Sequence, residues 1–125
     1  MRAAAVGIGS NSTRMLAAEI GAGQIAPFLR LREDTRLFSG LENGALSAER
    51  MMHTAAAAAA LVERARVEGC ETLHLFATSA TRDAKNGAEF CELVEALCGA
   101  PLEILSGEEE ARLSFLGATG GAAGT

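Results

Sequence analysis

Three consecutive glutamates follow a serine near the carboxyl end of the chain, and one of them has no evident structural role. Ser106 and Glu109 have capping-box spacing, in which each side chain satisfies a backbone amide of the first helical turn. Glu108 lies four residues before Arg112, a spacing that favours a surface ion pair. Glu110 is left over. It is either a general base for an attacking water molecule or an acidic residue that complements the helix dipole.

A turn of four small residues follows the first apolar segment: Gly9, Ser10, Asn11 and Ser12. Such a turn can aim several backbone N–H groups at one anion. The alternative is an ordinary hairpin turn, because the apolar segments 2–8 and 13–20 on either side are both strand candidates.

A third strand is expected over residues 24–38, with leucines on one face and mostly basic residues on the other. The leucine face consists of Leu29, Leu31 and Leu37. The opposite face consists of Arg30, Arg32, Asp34 and Arg36. This basic face is either a solvated outer surface or a site for an anion.

The rest of the chain alternates between helix and strand. Ser47 caps a helix over 48–67, a strand follows over 71–78, and Asn86 with Glu89 repeats the capping-box spacing before a helix to about Cys98. A strand over 101–105 leads to the helix that begins at Ser106. The order β-β-β-α-β-α-β-α predicts an α/β, ribonuclease H-like domain with a mixed five-stranded sheet and flanking helices. Ligands of such sheets bind at the carboxyl ends of strands.

Composition narrows the classes of function. A chain of 125 residues with 49% hydrophobic content suits one domain. A net charge of −5 and the absence of tyrosine and tryptophan argue against DNA or RNA as a partner. Without a visible membrane span or signal peptide, we expect a cytoplasmic protein. Cys91 and Cys98 are expected to be free thiols without a catalytic role, and neither histidine has zinc-site spacing.

Four segments, taken together, resemble the Ppx/GppA phosphatase family, which comprises exopolyphosphatases and guanosine pentaphosphate phosphohydrolases. The segments are Ala3–Arg14, Thr35–Leu41, Ala77–Arg82 and Ser106–Arg112. The resemblance implies an actin-like ATPase superfamily fold, of which residues 1–119 would be the first, ribonuclease H-like domain. Residues 120–125 would form a flexible tail, and the second domain, with its own phosphate loop, is expected to be absent from this sequence.

The resemblance also implies roles for individual residues. Gly9, Ser10, Asn11 and Ser12 would bind phosphate together with Arg82, and Glu110 would be the catalytic base. The substrate would be polyphosphate or guanosine pentaphosphate, hydrolysed with the help of Mg²⁺. The family has an aspartate near this metal where the present chain has Gly7, and this difference should weaken Mg²⁺ binding.

A second function is open beside hydrolysis. The chain would then be a catalytically silent domain that binds phosphate or a partner protein. An apolar patch formed by Leu113, Phe115 and Leu116 would offer a docking surface for a separate partner domain or for a second copy in a homodimer.

Overall fold

The computed structural model describes residues 1–105, which form five strands and three helices. In chain order the elements are β1 (Arg2–Ile8), β2 (Thr13–Gly21), β3 (Gln24–Glu33), α1 (Ala48–Val67), β4 (Thr72–Thr78), α2 (Ser79–Asp83), α3 (Gly87–Cys98) and β5 (Leu102–Leu105). The expected helix from Ser106, the candidate base Glu110, the apolar patch and the tail 120–125 all lie outside the described residues.

The five strands form one mixed sheet in the order β3-β2-β1-β4-β5. The pairs β1–β2 and β2–β3 are antiparallel, whereas β1–β4 and β4–β5 are parallel. Ile8 lies beside Ala77 across β1 and β4, and Thr78 lies beside Leu105 across β4 and β5. The predicted fold class is therefore confirmed, and the carboxyl ends of the three parallel strands meet at one edge of the sheet.

Helix α1 covers one face of the sheet and begins where the sequence indicates. The Ser47 hydroxyl accepts a hydrogen bond from the Arg50 amide at 3.1 Å, as an N-cap should. Ala55 and Ala58 are fully buried, and their small side chains allow the helix to approach the strands closely. Within residues 1–105, no helix has the length and apolar character needed to cross a bilayer.

Helix α3 packs beside α1 on the same core. Phe90 and Val94 are fully buried and lie four residues apart on one helical stripe, which Cys98 continues. Burying a side chain the size of Phe90 contributes about 1.5–3 kcal/mol to stability. The helix ends at Cys98 and is capped by Gly99, whose φ of 66° is the left-handed conformation of a C-terminal cap.

Two local expectations were wrong. The third strand ends at Glu33 rather than Phe38, because Glu33 pairs with Thr13, the first residue of β2, and the described part of the chain offers no strand partner beyond that pair. Asn86 does not form a capping box with Glu89. Its side chain instead bonds the backbone N–H of Leu46 at 2.8 Å and the Leu46 carbonyl at 2.9 Å, which ties the start of α3 to the segment before α1.

Candidate phosphate-binding site

The four-residue turn between β1 and β2 is closed by its own backbone. The Gly9 amide donates to the Ser12 carbonyl at 2.9 Å. A Cβ at position 9 would lie 3.3 Å from that same carbonyl, so a larger residue would press on the bond that closes the turn. The turn connects two antiparallel strands, so β1 and β2 form the hairpin that the sequence indicated.

The turn uses its carbonyl groups but leaves amide groups unpaired. The Ser10 carbonyl accepts from the Phe38 amide at 3.2 Å, and the Asn11 carbonyl accepts from the Arg36 amide at 3.0 Å. Across residues 1–105, the amides of Ser10, Asn11 and Ser12 have no hydrogen-bond acceptor. Ser10 and Ser12 are half-buried and Asn11 is exposed. Three neighbouring free N–H groups are what an anion-binding turn requires.

Arg82 belongs to α2, the short helix directly after β4, which the sequence did not lead us to expect. Because β1 and β4 are parallel neighbours, the turn at 9–12 and helix α2 begin at the same edge of the sheet. Arg82 is exposed, and its guanidinium donates no hydrogen bond within the described part of the chain. The Thr78 and Thr81 hydroxyls, 3.1 Å apart, link the end of β4 to α2.

The position of α2 depends on a close contact with α3. Gly87 is buried, and a Cβ added there would lie 2.5 Å from the Thr81 carbonyl oxygen and 2.7 Å from the Arg82 carbonyl carbon. Both are backbone atoms, so no side-chain rotation relieves the overlap. Only glycine therefore lets α3 approach the helix that carries Arg82.

The described residues do not suit a Mg²⁺ ion beside β1. Gly7 has no ligand atom, and a Cβ built on it would lie 2.5 Å from Cζ of Phe76, its neighbour in β4. The aromatic ring therefore fills the space into which a carboxylate at position 7 would extend. Within residues 1–105, no group of three or more histidine, cysteine, aspartate or glutamate side chains could hold a metal ion. Mg²⁺ is usually held by one or two carboxylates together with water and substrate phosphates, and the neighbouring strand residues Gly7 and Phe76 supply no carboxylate.

A groove of about 420 Å³ opens beside the turn. Its lining combines amide, hydroxyl, aromatic and charged side chains: Asn11, Arg32, Asp34, Arg36, Phe38 and Ser39. Arg32 Nε donates to Asp34 at 3.0 Å, so these two charges offset each other. The Arg36 guanidinium has no ion-pair partner among residues 1–105. Because β3 ends at Glu33, Arg36 lies beyond the strand face, and its position in the groove favours an anion site there over a solvated surface.

The three cysteines are free. Burial raises the pKa of the Cys98 and Cys91 thiols above their usual range, and Arg82 partly offsets the effect at Cys91. Burial likewise raises the pKa of Cys70. Thiols with a raised pKa remain protonated at neutral pH and are weak nucleophiles. Cys98 is buried, whereas Cys91 is only half-buried.

Comparison with known proteins adds the family context. The profile of the Ppx/GppA phosphatase family matches residues 16–124. The Ppx/GppA family member of Aquifex aeolicus is 31% identical and superposes with a TM-score of 0.85, covering 95% of this chain and 39% of its own. An exopolyphosphatase-like protein is 31% identical with a TM-score of 0.81, covering 92% of this chain and 36% of its own. An exopolyphosphatase from Cytophaga hutchinsonii has the same fold at 19% identity, with a TM-score of 0.78 over 95% of this chain and 38% of its own. The chain thus spans between a third and two fifths of the length of these proteins.

Proposed function

Since the chain belongs to the Ppx/GppA phosphatase family, we propose that its Gly9–Ser12 turn binds a phosphate group and that the domain serves the hydrolysis of a phosphoanhydride. Polyphosphate and guanosine pentaphosphate are the proposed substrates. The observation that carries the proposal is that the amides of Ser10, Asn11 and Ser12 have no acceptor among residues 1–105.

The turn would hold the phosphate mainly through its backbone. N–H groups aimed at one point stabilise an anion without a charged side chain, and the nearby hydroxyls of Ser10 and Ser12 add donors. Arg82 would add a cation with paired N–H donors from the neighbouring strand end. Its exposure and its lack of a hydrogen-bond acceptor within residues 1–105 support that role, because the guanidinium does not have to break an existing bond.

Glu110 is the proposed general base. It follows the last residue of β5 by five positions, and β5 ends beside Thr78 at the same sheet edge as the turn. A base in this role orients and deprotonates the water that attacks the terminal phosphorus, while the phosphoryl oxygens remain on the turn and Arg82. Gly7 and Phe76 provide no side-chain ligand for Mg²⁺ beside the turn.

A second candidate function rests on that same feature. With an aromatic ring where a carboxylate would extend, the domain is suited to binding phosphate, or a partner protein, without catalysing hydrolysis. The two proposals share the turn and differ in whether Glu110 contributes to a reaction.

Phosphate release separates them. The chain is incubated with polyphosphate and with guanosine pentaphosphate in the presence of Mg²⁺, beside a Glu110→Gln variant that keeps the size of the side chain and removes the base. Hydrolysis predicts release that the variant loses by at least about a hundredfold, the usual contribution of a general base. Release that is equal in both proteins contradicts the role of Glu110. Phosphate binding without release from either protein supports the silent domain.

A further inference from the structure

Arg36 stands out beside the turn because its backbone is strained and its side chain has no ion-pair partner among residues 1–105. Its φ is 48°, the left-handed region that a residue with a side chain adopts at a cost. The residues on either side explain why this conformation persists. Thr35 and Leu37 are both fully buried, so the chain is anchored before and after Arg36 and the guanidinium must face outward.

Hydrogen bonds fix this segment to the turn. The Thr35 hydroxyl lies 3.0 Å from the Thr13 hydroxyl inside the core, and Arg50 donates to the Thr35 carbonyl at 3.2 Å. The Arg36 amide itself donates to the Asn11 carbonyl at 3.0 Å. Arg36 is therefore tied at its own backbone to the turn that presents the free amides.

The charge of the groove points to an anion. Asp34 and Arg32 form an ion pair at 3.0 Å, so within residues 1–105 Arg36 is the lining cation whose charge is not offset. The groove also offers the Asn11 side chain and the Ser39 hydroxyl as polar groups. Because Asn11 belongs to both the turn and the groove lining, an anion in the groove would be next to one held by the turn.

We infer that Arg36 forms a second phosphate subsite, which takes the next phosphate of a linear phosphoanhydride whose first phosphate is bound by the Gly9–Ser12 turn. This inference rests on the proposed function of the turn. It makes the preferred ligand a chain of phosphates rather than a single phosphate. Arg36 acts in binding only, through charge-assisted hydrogen bonds from its planar guanidinium to phosphate oxygens.

The test compares orthophosphate with tripolyphosphate, by titration calorimetry in a buffer without divalent cations. The variant is Arg36→Gly, which removes the guanidinium and also relieves the left-handed strain. We expect its midpoint of thermal unfolding to equal or exceed that of the unmodified chain. We expect its affinity for tripolyphosphate to fall by about tenfold, the lower range for losing a hydrogen bond to a charged group. Its affinity for orthophosphate should stay within about twofold.

Asn43→Gly is the matched control, because Asn43 also has a positive φ, 54°, and does not line the groove. It should leave both affinities unchanged. An equal loss of affinity for orthophosphate and tripolyphosphate in Arg36→Gly would overturn the second subsite, and so would an unchanged affinity for tripolyphosphate. Either result would leave the turn as a phosphate site. If the unmodified chain binds neither ligand, the proposed function of the turn fails and the second subsite fails with it.

Discussion

Replacing Gly87 by alanine should destabilise the protein, although alanine is the better helix former. Gly87 is the first residue of α3, and its added Cβ would lie 2.5 Å from the Thr81 carbonyl oxygen. Since that oxygen belongs to the backbone of α2, the two helices must move apart. Overpacking of this kind costs about 1–3 kcal/mol, and the gain in helix propensity offsets at most about 1 kcal/mol.

We therefore expect a net loss of about 1–2 kcal/mol in the free energy of unfolding. For a domain of this size the midpoint of thermal unfolding should fall by roughly 3–8 °C. Circular dichroism followed during heating, together with urea titration, measures both quantities. Because α2 carries Arg82, the same variant should also bind phosphate more weakly.

Gly21→Ala is the control, since a Cβ at the end of β2 would meet nothing within 4 Å. Its stability should stay within about 0.5 kcal/mol of the unmodified chain. If Gly87→Ala is as stable as this control, α2 and α3 do not approach each other as closely as described, and the argument that Gly87 positions Arg82 is refuted.

Two further predictions concern the Gly7 corner and the buried thiol. Gly7→Asp should lower the free energy of unfolding by about 1–3 kcal/mol, because its Cβ would lie 2.5 Å from Phe76 Cζ. Adding Phe76→Ala should make the aspartate much less costly, and urea titrations that show independent, additive losses would contradict this account. Burial raises the pKa of the Cys98 thiol in the folded protein above its unfolded pKa near 9.0. The stability that the buried, protonated thiol contributes is therefore intact below that unfolded pKa and is lost as the pH rises through the folded pKa. Stability measured in urea at pH 8 and pH 10 should therefore fall less in Cys98→Ala than in the unmodified chain, and an equal fall would contradict the prediction.

The elements that could be predicted from sequence are those with local signals. Helix α1 has its N-cap at Ser47 and a long run of strong helix formers, and it spans the expected residues 48–67. Strand β1 spans the expected residues 2–8 because its apolar run ends at the small residues of the turn. The ends of α1 and β1 depend on residues that are adjacent in the chain, so the sequence alone predicts them.

The elements that were predicted wrongly depend on distant partners. Residues 34–38 keep the alternating pattern of a strand, yet the amides of Arg36 and Phe38 bond carbonyls of the 9–12 turn, more than twenty residues away in the chain. Asn86 is a residue type that favours helix N-caps, but its side chain bonds Leu46, forty residues away. In both segments, local hydrogen bonds compete with hydrogen bonds to distant residues, and the distant ones form. The sequence pattern reveals only the local hydrogen bonds.

In the candidate site, too, local features were predictable from the sequence and contacts between distant residues were not. The small residues at 9–12 left an anion-binding turn and an ordinary hairpin turn both open, and the structure adds that the Ser10, Asn11 and Ser12 carbonyls accept hydrogen bonds while their amides have no acceptor among residues 1–105. The Phe76 ring over Gly7 follows from the register of β1 against β4 and has no signature in either segment alone. The left-handed φ of Arg36 is equally hidden, because glycine or asparagine would be expected at such a position.

The most direct test of the phosphate-binding turn is a titration of the ¹⁵N-labelled chain with orthophosphate, followed by the amide signals in heteronuclear NMR spectra. A phosphate site at this turn predicts saturable shifts at Ser10, Asn11 and Ser12, with one common dissociation constant. The amides of Ala22 and Gly23, in the hairpin turn between β2 and β3, should show no saturable change. Shifts that fail to saturate at the first turn, or that are equally large at the second, would contradict the claim that the unpaired amides form a phosphate site.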